Sequence, residues 1–119
     1  MIQLLEGFPD NVLAFFATGM VTKEDYVEVL VPNVERALSR HGKLRLYYEF
    51  GVEFEGFDPL TTRVDGHIFT EHAARWERVA VVTDADLVRL QTQCVHVHGE
   101  VRIFPLAEAA AAERWIKAP

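Results

Sequence analysis

The chain has 119 residues, half of them apolar and a quarter charged, a size and mixture typical of one globular domain over residues 1–119. The net charge of −6 and the scattered Lys and Arg argue against nucleic-acid binding, and the acidic balance disfavours adsorption to anionic membranes. A single cysteine, no apolar run of membrane-spanning length and no leader-like start predict a cytoplasmic domain without internal disulfides or transmembrane segment.

The first elements are predicted to be two strands joined by a turn. Residues 2–5 are short and apolar, and residues 7–11 combine the glycine, proline, aspartate and asparagine that favour turns. Residues 12–18 are rich in valine, phenylalanine and leucine. This order predicts a β-hairpin.

A helix is predicted to begin at Thr22. A hydroxyl residue followed three positions later by the carboxylate of Asp25 is a capping-box pattern, and apolar residues recur at helical spacing as far as Leu38. Pro32 cannot donate a hydrogen bond within this stretch, so we expect a kinked helix or two short helices in line. Gly42 suits the left-handed position that ends a helix.

The middle of the chain is predicted to hold a strand, a loop and a helix. Residues 44–50 are apolar enough for a strand, and residues 51–59 form an acidic and aromatic stretch that we interpret as a loop. Residues 60–76 carry apolar side chains at helical spacing, although Gly66 weakens that pattern.

The last third alternates strands and helices. Residues 79–82 predict a buried strand, and a helix capped by Thr83 should follow, with Leu87, Leu90 and Cys94 on its buried side. Residues 101–104 predict another strand and residues 107–117 a final helix. The complete order, β-β-α-β-α-β-α-β-α, predicts an α/β fold with a mostly parallel sheet.

A cysteine and two histidines at alternating positions raise the question of a metal site. On a strand, Cys94, His96 and His98 would share one face, and two imidazoles with Glu100 could hold a zinc ion. The helical spacing of Cys94 favours a buried thiol instead, with both histidines in a connecting loop. We therefore predict neither a metal or other cofactor nor a Cys–His catalytic pair.

The acidic and aromatic stretch is the predicted binding region. It follows the carboxyl end of a strand, where sites form in open α/β sheets. Exposed phenylalanines beside carboxylates could form a docking patch for a protein partner, although paired carboxylates could also serve acid–base chemistry. The candidate partner- or ligand-binding residues are Glu53, Phe54, Glu55, Phe57 and Asp58, together with Thr61 and Thr62 at the start of the predicted helix that follows.

The chain resembles the SpoIIAA-like family, small bacterial domains with the STAS fold that are also compared with the CRAL-TRIO lipid-binding fold. The resemblance rests on "LLEGFPDNVLAFFATGMVTKEDYVEVLVPNVERAL", "FEGFDP", "RVAVVTD" and "GEVRIFPLAEAAAAERWI". It implies an α/β, STAS-like fold with a mixed, mostly parallel sheet of about five strands, an antiparallel first strand and four helices. It also implies no enzymatic activity.

The same resemblance suggests how the protein acts. Anti-sigma-factor antagonists of the STAS group work by protein–protein contact and are switched by phosphorylation of a serine. This chain reads F-D-P-L-T-T at that region, without serine, and leaves Thr61 and Thr62 as the candidate phosphate acceptors.

We therefore predict a non-enzymatic binding or regulatory domain. The alternative is a carrier of a small apolar or lipid-like ligand, held between the sheet and residues 60–76. A homodimer is expected because symmetric dimers are the commonest assembly of such domains, and the short first strand offers an edge for it.

Overall fold

The structure is a computed structural model that describes residues 1–59 and 69–119. The strands are β1 (Ile2–Leu4), β2 (Val12–Val21), β3 (Leu44–Phe57), β4 (Trp76–Val82) and β5 (Glu100–Phe104). The named helices are α1 (Lys23–Asp25), α2 (Val31–Arg40), α3 (Asp86–Gln93) and α4 (Ala109–Lys117). A π-helical turn spans Tyr26–Leu30, and 3-10 turns span Ala73–Arg75 and Leu106–Glu108.

The five strands form one sheet in the order β1-β2-β3-β4-β5. β1 pairs antiparallel with β2, whereas each later strand pairs parallel with its neighbour. The pairing of Ile2 with Ala17 and of Leu4 with Phe15 confirms the predicted hairpin. The α/β class, the mostly parallel sheet and the antiparallel first strand are confirmed.

The first helical region begins with the predicted capping box. The Thr22 hydroxyl accepts a hydrogen bond from the Asp25 amide at 3.3 Å, and the Asp25 carboxylate accepts one from the Thr22 amide at 2.8 Å. The expected interruption is the π-helical turn, which ends where the Val31 amide donates to the Tyr26 carbonyl. Pro32 thereby falls in the first turn of α2, where a missing amide costs little.

The loop predicted over residues 51–59 is wrong for most of its length. β3 runs on to Phe57, and β2 runs on to Val21 beside it, with Gly19 opposite Phe54 and Met20 opposite Gly56. Irregular pairing around Gly19 accommodates extra residues in β3, and the glycine provides the positive φ of 61° that this irregularity needs.

The helix predicted over residues 60–76 falls largely outside the described residues, because residues 60–68 are not among them. Of the remainder, residues 69–71 are helical and Ala73–Arg75 forms a 3-10 turn. Trp76 already belongs to β4, which begins three residues before the predicted strand. The helix therefore does not reach Trp76.

The predicted orientation of α3 is wrong. Leu87 and Leu90 are 51% and 61% exposed, and Cys94 is also exposed. Val88 and Thr92 face the core instead, and the Thr92 hydroxyl donates to the Val88 carbonyl at 2.7 Å. The prediction of a buried thiol at Cys94 is therefore also wrong.

The predicted cap of α3 also differs. Its N-cap residue is Ala85, and the Thr83 hydroxyl accepts from the Ala85 amide at 3.0 Å in a turn that precedes the helix. The helix therefore starts at Asp86, later than the sequence pattern indicates.

The sheet separates two apolar layers. On one face, α2, the π-helical turn and α3 cover a core that includes Phe15, Leu46 and Val79. On the other face, α4 places Ile116 against a smaller cluster around Tyr47. The carboxyl ends of β3, β4 and β5 consequently meet at one rim of the sheet, because parallel strands all end on the same side.

Candidate functional site at the rim of the sheet

The rim carries two open grooves that share Val52 and Phe54 of β3. One groove lies between these residues and the N-terminal side of the sheet, next to Met1 and Gly19. The other lies towards the turns after β4 and β5, next to Asp84. We call the ridge Val52, Glu53, Phe54 and Glu55, together with Asp84, the rim surface.

The most exposed apolar side chain on this surface is Val52, which is 90% exposed. Glu53 and Glu55 on either side of Phe54 are also exposed. Burial of Val52 by a partner would remove apolar area from water at about 25 cal/mol per Å². The side chain therefore offers a contact that the folded chain itself does not use.

An aromatic cluster fixes this part of β3 to the core. Phe50 is only 4% exposed, and its ring lies 4.4 Å from that of Tyr48 in a stacked arrangement. The rings of Phe54 and Phe57 meet Phe50 edge-on at 4.8 and 5.8 Å, and they lie 5.2 Å from each other. Such pairs contribute about 0.5–1.5 kcal/mol each beyond area burial, so the strand beneath Val52 is held in place.

The second groove is bordered by the turn after β4, and a hydrogen bond from the neighbouring 3-10 turn stabilises it. The Asp84 carboxylate accepts from the Leu106 amide at 3.0 Å, which ties the turn after β4 to the 3-10 turn after β5. Asp84 keeps a second carboxylate oxygen for other contacts. With Glu53 and Glu55, it gives the rim surface an acidic character.

The first groove is bordered by the N-terminal ammonium group. The Met1 nitrogen donates to the Thr18 and Met20 carbonyls at 2.7 and 3.1 Å and lies 3.4 Å from a carboxylate oxygen of Asp25. Partial burial pushes the pKa of Asp25 upward. The hydrogen bonds from Thr22 and the nearby ammonium charge outweigh it and hold that pKa below its ordinary value.

The candidate residues from the sequence lie in different environments. Glu53 and Glu55 are exposed, whereas Phe54 and Phe57 are half-buried and pack against the core. Asp58 is half-buried, and its amide donates to the Val21 carbonyl at 2.8 Å. Thr61 and Thr62 lie outside the described residues.

Sequence reasoning missed Val52. The alternation of apolar and acidic residues from position 52 to position 55 is a strand signal, but it would place Val52 on the same face as Phe54, which packs against the core, so the pattern does not reveal the exposure of Val52. The glycines on both sides masked that signal because they favour a loop.

A small cavity lies under α3, between that helix and the sheet. Its volume is about 50 Å³, roughly what one or two water molecules occupy. Its walls are mainly apolar: Leu46, Tyr48, Phe50, Phe57, Phe69, Val79, Val81, Val88, Gln91, Thr92, Val95 and Val101.

The Tyr47 phenol and the two histidines after α3 are further candidates for chemistry among the described residues. Burial, and secondly the hydrogen bond to Glu49 at 2.6 Å, raise the pKa of Tyr47, which therefore stays protonated at neutral pH. His96 and His98 are exposed between α3 and β5. Within residues 1–59 and 69–119, no three His, Cys, Asp or Glu side chains are grouped closely enough to hold a metal ion.

The mixed five-stranded sheet with helices on both faces defines a STAS-type α/β domain. The family model described as SpoIIAA-like matches residues 12–117, so the chain belongs to the SpoIIAA-like family. This confirms the resemblance seen in the sequence. No curated protein matches the chain.

A solved structure supports the same fold. The crystal structure at 2.25 Å of an uncharacterised protein from Shewanella loihica PV-4, of the DUF3478 family with a SpoIIAA-like fold, is similar with a TM-score of 0.70. The match covers 98% of this chain and 92% of that chain at 24% identity, which shows the fold alone. Among the described residues, no helix is long and apolar enough to cross a membrane.

Proposed function

We propose that this domain is a non-enzymatic binding or regulatory module that acts by protein–protein contact through the rim surface. The observation that carries the proposal is Val52, an almost fully exposed valine on a strand whose neighbouring rings, Phe50 and Phe54, pack edge-on at 4.8 Å. Rigid apolar contacts surrounded by polar groups are typical of binding interfaces. The free, exposed thiol of Cys94 fits a reducing compartment such as the cytoplasm.

The charges of the rim surface suggest what the partner presents. Glu53, Glu55 and Asp84 surround the apolar contact, and the whole chain carries a net charge of −6. A protein segment with an apolar side chain flanked by Lys or Arg would complement both features. Thr61 and Thr62, which follow in sequence, belong to the proposed binding segment.

The test is affinity capture from cells of the organism that encodes the chain, comparing Val52→Ser and the double variant Glu53→Lys, Glu55→Lys with the parent protein. We expect each change to weaken capture of a specific partner by about tenfold or more, since it removes the apolar contact or reverses the charges. Because all three side chains are exposed, the free energy of unfolding should change by less than about 0.5 kcal/mol.

Matched control variants distinguish specific binding at the rim surface from nonspecific binding elsewhere on the protein. Val27→Ser removes an exposed valine on the π-helical turn, and Glu35→Lys reverses an exposed charge on α2. Both controls should capture the partner as the parent does. A partner retained by the rim variants, or lost equally from the controls, would show that this surface is not the binding site.

The second candidate function is the carriage of a small apolar or lipid-like ligand. The observation that favours it is the apolar cavity under α3, which Phe57 and Phe69 help to line. At about 50 Å³ the cavity would have to widen to admit a ligand of more than a few heavy atoms. Movement of α3 away from the sheet would widen it.

Mass spectrometry of organic extracts from the purified chain tests this second function. Val88→Phe fills the cavity from α3 and should abolish any copurified apolar compound, whereas Val27→Phe, at an exposed position, should retain it. The overpacked variant should lose about 1–3 kcal/mol of stability, so its fold is checked by circular dichroism. Repeated absence of such a compound from the parent protein would count against a carrier.

A further inference from the structure

We propose that a second copy of this chain pairs antiparallel with β5, so that two sheets join edge to edge across a two-fold axis. β5 is the last strand of the sheet and pairs only with β4 among the described strands. An edge strand presents unpaired amide and carbonyl groups that another strand can extend. This interface is separate from the rim surface and does not depend on the proposed function.

The hydrogen bond between Thr83 and Phe104 shows which backbone groups of β5 face β4 and which face outward. The Phe104 carbonyl accepts from the Thr83 amide at 2.8 Å, so the backbone groups of Phe104 point towards β4. Because this direction alternates along a strand, those of Arg102 and Glu100 also point towards β4. The amides and carbonyls of Val101 and Ile103 therefore point away from the sheet, towards the place of a further strand.

The charged side chains on β5 favour one register for the pairing of that strand with a second copy. The Arg102 guanidinium and the Glu100 carboxylate lie 2.6 Å apart on one face of β5. With Val101 opposite Val101 of the second copy at the axis, Glu100 of each chain lies directly opposite Arg102 of the other. An axis at Arg102 or at Glu100 would instead place like charges opposite each other, which is unfavourable. An axis at Ile103 would place Val101 opposite Pro105, which has no amide to donate.

The same register suits the other side chains. The two Val101 residues would exchange both backbone hydrogen bonds at the axis, on the face where Val101 already packs against the core. Ile103 would lie opposite Gly99 of the second copy, which has no side chain to obstruct it. The segment from Gly99 to Ile103 is therefore complementary to itself.

β1, the opposite edge, is less suited than the sequence suggests. It is only three residues long, and the bonds of Met1 and Leu5 to β2 leave only Ile2 and Leu4 with backbone groups facing outward. Neither side chain is charged, so nothing on β1 selects a register. β5 therefore replaces β1 as the expected dimer edge.

A charge-exchange experiment tests the register. Glu100→Arg and Arg102→Glu each make the two-fold pairing repulsive, and we expect each variant alone to dissociate about ten- to a hundredfold more readily than the parent dimer. Mixed together, the two variants place arginines opposite glutamates at both positions. Native mass spectrometry should then show a heterodimer of the two masses with the dimer restored.

Restoration on mixing cannot come from a contact within one chain, because each chain keeps its own like-charged pair. A mixture that stays monomeric while the parent dimerises would overturn the register. A parent protein that is monomeric at every concentration in sedimentation would overturn the proposal, and the charges would then serve to keep the edge unpaired.

Proline substitutions test the edge itself. Val101→Pro removes an amide that points away from β4, so the fold should survive, as circular dichroism can verify, while the dimer is lost. Leu4→Pro removes an outward amide from β1 in the same way and should leave the dimer intact. The reverse pattern, or a dimer that survives both changes, would place the interface elsewhere and overturn the proposal.

Discussion

Substitution of Gly99 by alanine is expected to lower the free energy of unfolding by about 3 kcal/mol or more, the largest effect expected for alanine at any of the glycines that the structure describes. A Cβ atom at this position would fall on the backbone carbonyls of Trp76 and Glu77, closer than any real Cβ contact. These carbonyls belong to β4, so neither atom can rotate away as a side chain would. The start of β5 would have to move off the sheet.

Gly42→Ala is the matched control. No atom lies within 4 Å of the place that a Cβ atom would take there, and the residue does not have the positive φ that penalises alanine. Its effect should lie between neutral and a gain of about 1 kcal/mol, since alanine restricts the unfolded chain. Urea unfolding of both variants gives the comparison, and equal stabilities would refute the close approach of Gly99 to β4.

The parts of the fold that the sequence predicts well are those that local interactions determine. The capping box of Thr22 and Asp25 needs only four consecutive residues, and it forms as expected. The hairpin of β1 and β2 likewise depends on a single local connection, residues 5–11, between two apolar segments. In both cases the partners are close in sequence, so the pattern contains the information.

The extension of β3 could not be predicted because its partner is distant in sequence. The segment from Gly51 to Phe57 forms a strand because β2 continues to Val21 and pairs with it. Gly51 also lets the Phe16 ring of β2 lie close, at 2.5 Å from the position that a Cβ atom would occupy. A glycine required by such tertiary contact looks, in the sequence alone, like a loop signal.

The predicted orientation of α3 is wrong for a different reason. The helix has two candidate apolar stripes, one through Leu87 and Leu90 and one through Val88 and Thr92. Leucine is the more hydrophobic choice, yet Thr92 can be buried because its hydroxyl bonds to the carbonyl of Val88 within the same helix. Hydrophobicity alone cannot detect a polar group that is satisfied locally.

The candidate binding segment has a different form in the structure from the one that the sequence predicts. The sequence placed it after the carboxyl end of a strand, with phenylalanines as exposed contacts. In the structure the same segment is itself a strand, and Phe54 and Phe57 are partly occupied by packing with Phe50. The exposed side chain is instead that of Val52, a residue that nothing in the sequence marks as a contact.

The second large effect is expected for Phe50→Ala, which should cost about 3–5 kcal/mol. Phe50 is almost fully buried and contacts three other aromatic rings, at 4.4, 4.8 and 5.8 Å. The change therefore removes core area, leaves a cavity and deprives the rim of its aromatic anchor. Phe8→Ala is the control, because Phe8 is only half-buried and lies within 5.2 Å of Tyr47 on the other face of the sheet.

Phe50→Leu separates the two roles of this side chain. Leucine keeps most of the apolar contact and should cost much less than alanine, about 1–2 kcal/mol, but it cannot reproduce the edge-on ring contacts. If those contacts anchor the rim, amide hydrogen exchange should accelerate from Val52 to Glu55 in Phe50→Leu and stay unchanged in α4, on the far side of the sheet. Equal acceleration in both regions would mean that Phe50 supports the core as a whole and does not specifically hold the ridge that carries Val52.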